Sequence, residues 1–304
     1  MERRTLIIVV AIASAAFVLF AAAALTVIVT ALRSSEEGFG LPGRIPVGVV
    51  QVEGMIRSPD EVLKQLRRFR DREDIRAIVV RVDSPGGAVA PSQEIHDAIA
   101  RTAKVKPVVV SMGNEAASGA FYLAVAARRI YAEPGTLTGS IGVIADLPEV
   151  DQLLGWARVG VNVIKSGKLK DVGSPFRPMT DDDRKFLQGL IDDVYEQFLG
   201  AVAQGRKLSV DKVRPLADGR VLSGEQAQKV GFVDRLGGLE EAAEGALELA
   251  GAKGRPRLVY PPEETELKLS KFIRETSESA ALGLREAATP PLGLLFLTPS
   301  GAVQ

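Results

Sequence analysis

Three runs of aliphatic, largely β-branched residues recur at intervals of roughly thirty positions: Val47–Val52 (VGVVQV), Ile75–Val82 (IRAIVVRV) and Pro107–Met112 (PVVVSM). Continuous Val/Ile runs mark strands buried on both faces, and strands of that kind lie parallel with helices as crossovers. The intervening segments supply the helices. Pro59–Asp74 carries Val62, Leu63, Leu66 and Phe69 at helical spacing, with Ser58 as the expected N-cap, and Ala88–Lys104 and Gly119–Ala127 are the next two. This alternation predicts an α/β fold around a parallel sheet covered on both faces. Beyond Pro148 the balance shifts to helix, with candidates at Thr180–Arg206, Ser209–Ala217, Ser223–Val230 and Leu239–Ala252, then a last strand at Arg257–Tyr260. Asp181 to Asp183 suit the positive end of the long helix dipole.

The ends of the chain read differently. Thr5–Leu32 is almost wholly apolar and free of charge. As a helix it would be roughly 42 Å long, enough to cross a hydrocarbon core of about 30 Å. It is too long for the apolar region of a cleaved secretory signal. It is therefore expected to be a transmembrane signal anchor. Arg3 and Arg4 precede it, while Arg33 is followed by Glu36 and Glu37, which places the N-terminus in the cytoplasm and the rest on the extracytoplasmic side of the cell membrane. Residues 1–33 form this anchor, 34–45 a polar Gly-rich linker, 46–261 the globular domain, and 262–304 a charged tail with a late apolar run at Leu292–Leu297.

Composition narrows the chemistry. The chain has no cysteine, which removes thiolate nucleophiles, thiolate metal sites and disulfides. It has one histidine, His96, so His-rich metal sites are out of reach and a Ser-His-Asp triad would have to use that residue. His96 lies in a helical segment and reads as a packing residue. Lys+Arg and Asp+Glu both number 38, leaving no cationic excess for nucleic acid. The Arg67–Arg68–Phe69–Arg70 cluster reads as a solvated helix face.

Chemistry is expected in the turns at the carboxyl ends of the strands. The first is Asp83-Ser84-Pro85-Gly86-Gly87, whose glycines can aim bare N–H groups at an oxyanion or a phosphate. The second is Ala116-Ala117-Ser118-Gly119-Ala120, where small neighbours let a serine sit in a tight strand-to-helix elbow; an ordinary N-cap serine is the plainer reading. The third is Thr138-Gly139-Ser140-Ile141-Gly142, followed by the lysine-rich stretch from Ile164 to Asp171. A serine nucleophile needs a base, and with one histidine present lysine is the natural substitute, provided its pKa is lowered. By spacing alone Lys165, Lys168 and Lys170 are equal candidates.

Together, SPGG (Ser84–Gly87), AASGAFY (Ala116–Tyr122), TGSIGVI (Thr138–Ile144) and SGKLKDVGSPFRPMT (Ser166–Thr180) resemble the signal peptide peptidase A (protease IV) family, in the same order, over Pro46 to Gly251. The resemblance implies a Clp/crotonase-like fold of repeated βαβ units and a Ser-Lys dyad. By position Ser118 is then the nucleophile and Lys170 the base. The N–H groups of Gly119 and Gly87 are the implied oxyanion donors, with Gly86 the rival, and Ser140 orients the lysine. It further implies no metal or organic cofactor, membrane-associated homo-oligomers whose pockets lie at subunit contacts, and signal peptides or other unfolded chains as substrates. Rival readings are a protease acting on a stomatin-like membrane partner, a crotonase-type acyl-CoA hydratase or isomerase, and an inactive membrane scaffold.

Overall fold

A computed structural model describes residues 43–261 of the chain. The first three strands are β1 (Arg44–Glu53), β2 (Ala77–Ser84) and β3 (Val108–Ala117), joined by helices α1 (Asp60–Asp71) and α2 (Val89–Thr102). They pair in parallel, Val49 opposite Val79 and Val79 opposite Val109. The alternation along them explains the unbroken Val/Ile runs. Ile78, Val80, Val82, Val108, Val110 and Met112 face one core layer, while Ala77, Val79 and Val109 face another. Each strand therefore needs apolar residues at every position.

The larger layer is built from α1, α2, α3 (Gly119–Ala124) and the carboxyl half of α5 (Asp181–Arg206), through Phe69, Ile95, Phe121 and Phe198. Phe121 also meets Phe232, ring centroids 5.4 Å apart. The smaller layer is α8 (Leu239–Leu249), which lays Ala242, Ala243 and Ala246 on the sheet beside Tyr131. Between them the chain forms β4 (Arg129–Ala132), β5 (Leu137–Gly139), α4 (Asp151–Trp156), α6 (Val210–Val213) with a short 3-10 turn at Arg214–Leu216, β6 (Val221–Ser223), α7 (Gly224–Lys229), β7 (Arg235–Leu236) and β8 (Arg255–Val259).

Strand β3 has two neighbours in succession. Val109 to Ser111 pair in parallel with β4, and Glu115 to Ala117 pair in parallel with β5. β5 in turn pairs antiparallel with β6, so the sheet is mixed rather than wholly parallel. β8 lies beside β1, and β7 beside β4.

The elements follow the sequence pattern with explicable departures. β3 runs five residues past Met112, because Glu115 to Ala117 find a hydrogen-bonding neighbour in β5 that periodicity cannot reveal. Pro59, not Ser58, occupies the N-cap of α1, while Ser58 Oγ accepts the Asp60 N–H at 3.2 Å. Thr180 caps α5 as expected from its position, and it does so through a reciprocal capping box with Asp183. Strands β4 to β7 are two to four residues long and left no periodic signal. Among the described residues no helix is long and apolar enough to cross a membrane. The apolar run Thr5–Leu32 and the tail with Leu292–Leu297 lie outside the described residues.

Gly205, in the last turn of α5, is packed against backbone. A methyl group there would lie 2.1 Å from the Val125 carbonyl oxygen, which no side-chain rotation can relieve. Gly205→Ala should therefore destabilise the domain by about 1–3 kcal/mol despite the higher helix propensity of alanine. Urea unfolding followed by far-UV circular dichroism checks this; an unchanged or raised midpoint would contradict the packing described.

Candidate active site

Ser118 stands where β3 ends and α3 begins, with φ 52° and ψ −121°. A non-glycine residue with positive φ is uncommon, and off the left-handed helical basin it stores of order 1–3 kcal/mol of strain. The strain is held by three contacts. The Ser118 N–H donates to the Gly139 carbonyl at 2.9 Å, its carbonyl accepts the Tyr122 N–H at 2.9 Å, and Thr138 Oγ1 donates to the Ala116 carbonyl at 2.7 Å. Although Ser118 occupies the N-cap position, its hydroxyl caps nothing. The plain capping role open to such a serine is thus not what this one performs.

The SPGG turn lies alongside. Ser84 Oγ accepts the Gly86 N–H at 3.1 Å and is fully buried. The Gly86 carbonyl accepts the Ile56 N–H, and the Ala88 N–H donates to the Ile56 carbonyl, each at 2.8 Å. This parallel bridge uses the groups on either side of Gly87, so the Gly87 N–H faces away from Ile56. A methyl group placed on Gly119 would be 3.3 Å from the Gly87 nitrogen and 2.5 Å from Ser92 Oγ. One placed on Gly87 would be 2.2 Å from the Ile56 carbonyl oxygen, and one on Gly86 2.7 Å from the Gly119 nitrogen. Only glycine fits at all three. The Gly86 N–H is committed within its turn, whereas those of Gly87 and Gly119 form no turn or cap hydrogen bond among the described residues.

Ser118, Gly119, Gly87 and Ser140 line one cavity of about 230 Å³. Ser140 also has a positive φ, 50°, and is tethered by its N–H to the Arg220 carbonyl at 2.8 Å. The walls are apolar, from Val89, Tyr122, Val143, Ile144, Val194 and Phe198, with Gln93 a polar feature among them. Burial raises the Tyr122 phenol above its ordinary pKa, partly opposed by a hydrogen bond with Gln93, which marks a low-dielectric wall. His96 packs its ring on Tyr122, centroids 5.1 Å apart, and contacts Asp97, as befits a packing residue.

Lys170 is not brought to this cavity within the chain. It sits in a series of turns between α4 and α5, exposed, and its side chain makes no hydrogen bond or ion pair among the described residues. The other two candidate lysines are engaged, Lys165 with Asp171 and Lys168 with Asp182. The segment around them is unusual for its apolar exposure: Ile144 and Trp156 are each 84% exposed and Ile164 101%.

Several contributors carried no role in the sequence reading. Ser84 and Thr138 stand inside the motifs that marked the site, and each holds a turn through its hydroxyl. Ser92, buried against Gly119, gave no signal beyond a small residue on the helix after SPGG.

Known proteins resemble this chain in sequence. Peptidase family S49 matches residues 100–253 and Clp protease matches residues 50–136, the latter in keeping with the α/β fold expected. A candidate protease of Synechocystis sp. is 43% identical over 210 residues, 68% of this chain and 76% of that protein. Protease 4 of Salmonella typhi is 36% identical over 211 residues, 69% of this chain but 34% of its own length. The chloroplastic serine protease SPPA of Arabidopsis thaliana is 32% identical over 232 residues, 73% of this chain and 33% of its own. The chain belongs to peptidase family S49, the serine peptidases of the signal peptide peptidase A type.

Proposed function

We propose that the chain is a membrane-anchored serine endopeptidase that hydrolyses signal peptides left after secretory cleavage, and similar unfolded apolar segments. The observation that carries this reading is the elbow at Ser118, whose uncapped hydroxyl faces an apolar-walled cavity beside two uncommitted N–H groups. Apolar walls suit the side chains of a signal peptide. Thr5–Leu32 would hold the enzyme at the membrane where such peptides remain, with the catalytic domain on the extracytoplasmic side.

In the mechanism, neutral Lys170 takes the Ser118 proton as the hydroxyl oxygen attacks the scissile carbonyl. The N–H groups of Gly87 and Gly119 stabilise the tetrahedral oxyanion. Protonated Lys170 then gives its proton to the leaving amine, and the C–N bond breaks to leave an ester on Ser118. Water, deprotonated by Lys170, hydrolyses that ester and regenerates the hydroxyl. Ser140 holds the amine in line.

Lys170 would reach Ser118 from a neighbouring copy. Two facts support this: its own chain leaves it outside the cavity, and the segment carrying it exposes Trp156 and Ile164. Covering each such side chain in a subunit contact contributes about 1.5–3 kcal/mol, and the same contact would take the lysine out of water.

Ser118→Ala should lose labelling by a fluorophosphonate probe and all peptidase activity. Lys170→Ala should lower kcat by about 100- to 10,000-fold, and Lys168→Ala should leave it unchanged. Co-assembled Ser118→Ala and Lys170→Ala chains should regain activity, because a mixed contact reunites an intact serine with an intact lysine. Absence of any recovery in verified mixed oligomers would place both groups in one chain, and full activity of Ser118→Ala would end the peptidase mechanism.

Gly87→Ala must displace its backbone from Ile56 and so pull one donor off the oxyanion. A loss in kcat of about 100- to 1,000-fold with little change in KM is expected, read by steady-state kinetics on a folded variant. Carbonate extraction tests the anchor: the full chain should stay with membranes, and a chain starting at Gly43 should not.

A further inference from the structure

The segment that carries Lys170 has no hydrophobic anchor of its own. No residue from Gly142 to Val194 belongs to either core layer, and positions 161–170 are all exposed. Successive turns shape it locally, with Val172 N–H donating to Leu169 at 3.2 Å and Ser174 N–H to Asp171 at 3.1 Å. Turns of this kind do not fix where the segment lies relative to the sheet.

Ion pairs do: an exposed one between Lys168 and Asp182, and a more buried clasp around Asp171. Asp171, directly after Lys170, turns inward and keeps only 11% of its side chain exposed. The Arg177 guanidinium grips it with Nε to Oδ2 and Nη2 to Oδ1, both at 3.0 Å, and Nη2 also donates to the Asp171 carbonyl at 3.2 Å. Lys165 adds a second cation to Asp171. Through Nη1 the same guanidinium reaches Asp183 Oδ2 at 2.5 Å and the Pro178 carbonyl at 3.0 Å. Asp183 is itself buried and accepts the Thr180 N–H at 3.1 Å in the capping box of α5. Further along that rigid helix, Val194 and Phe198 form part of the cavity wall. Arg177 beside both carboxylates holds each far below the ordinary range, with Lys165 assisting at Asp171 and the Thr180 N–H at Asp183, so the clasp stays ionised wherever a lysine base could work.

We propose that Arg177 is the positioning residue for Lys170: by locking Asp171 to Asp183 it fixes the base-bearing turn to the helix that walls the substrate cavity. A planar fork that engages one carboxylate bidentately and a second through its remaining nitrogen is a geometry lysine cannot reproduce. Because Asp171 points inward, its neighbour is presented outward in a defined direction. This inference rests on Lys170 being the base.

Arg177→Met in the full-length enzyme should lower kcat about 100-fold while KM stays within about twofold, the signature of a displaced base rather than a damaged cavity. Arg177→Lys should recover only part of the loss. Free guanidinium should restore activity to Arg177→Ala and not to Lys170→Ala. Asp171→Asn breaks the clasp from its other side with no change in volume, and it decides the matter if the Arg177 variants fail to fold or assemble. A folded Asp171→Asn enzyme should lose kcat in the same way. Wild-type kcat in a folded Arg177→Met or Asp171→Asn enzyme, with Lys170→Ala inactive, would overturn the positioning role alone. Wild-type activity in Lys170→Ala would instead overturn the assignment of the base, and this role with it.

Discussion

The site depends on β3 changing neighbours halfway along its length. Its first half belongs to the regular parallel sheet, and its second half pairs with β5. That switch brings the Gly139 carbonyl to the Ser118 N–H and sets Ser140 at the same cavity as Ser118, both with positive φ. Thr138 locks the pairing from a fully buried position, donating its hydroxyl to the Ala116 carbonyl. Without β5 the end of β3 would be a free strand edge and nothing would hold a serine at positive φ. The strain at the elbow is thus sustained by ordinary sheet hydrogen bonds one residue away.

Around that elbow the structure depends on absence of bulk. Gly86, Gly87 and Gly119 pass so close to neighbouring backbone, or to Ser92, that a single methyl group would not fit at any of them. Close approach does two things at once. It places Gly87 and Gly119 at one cavity, and it leaves their N–H groups uncommitted because the hydrogen bonds of the surrounding turn are satisfied by Ser84, Gly86 and Ala88.

How much of this was legible depends on the range of the forces involved. The three long strands and their crossover helices could be read because burial on two faces demands apolar residues at every position, a constraint written locally into VGVVQV, IRAIVVRV and PVVVSM. The carboxyl half of β3, and β4 to β7, could not be read. Their few residues are strands only because of neighbours distant in sequence. The site was legible as motifs, and the structure gathers Ser118, Gly119, Gly87 and Ser140 at one cavity. The engagement of the Gly86 N–H by the Ser84 hydroxyl was not legible, because it depends on the shape of the turn. The whereabouts of Lys170 was not legible, because its segment has no core contacts and takes its place from charge pairs whose members are six residues apart.

The backbone of Ser118 has an implication for how such a chain responds to selection. A residue held near φ 52° costs free energy that glycine would not, since glycine lacks the Cβ that makes the conformation unfavourable. The folded domain would gain stability from losing the side chain proposed as the nucleophile. Screening variants of this protein for heat resistance alone would accordingly enrich inactive chains. Any search for a hardier version has to score turnover and melting together, or it will optimise away the chemistry first.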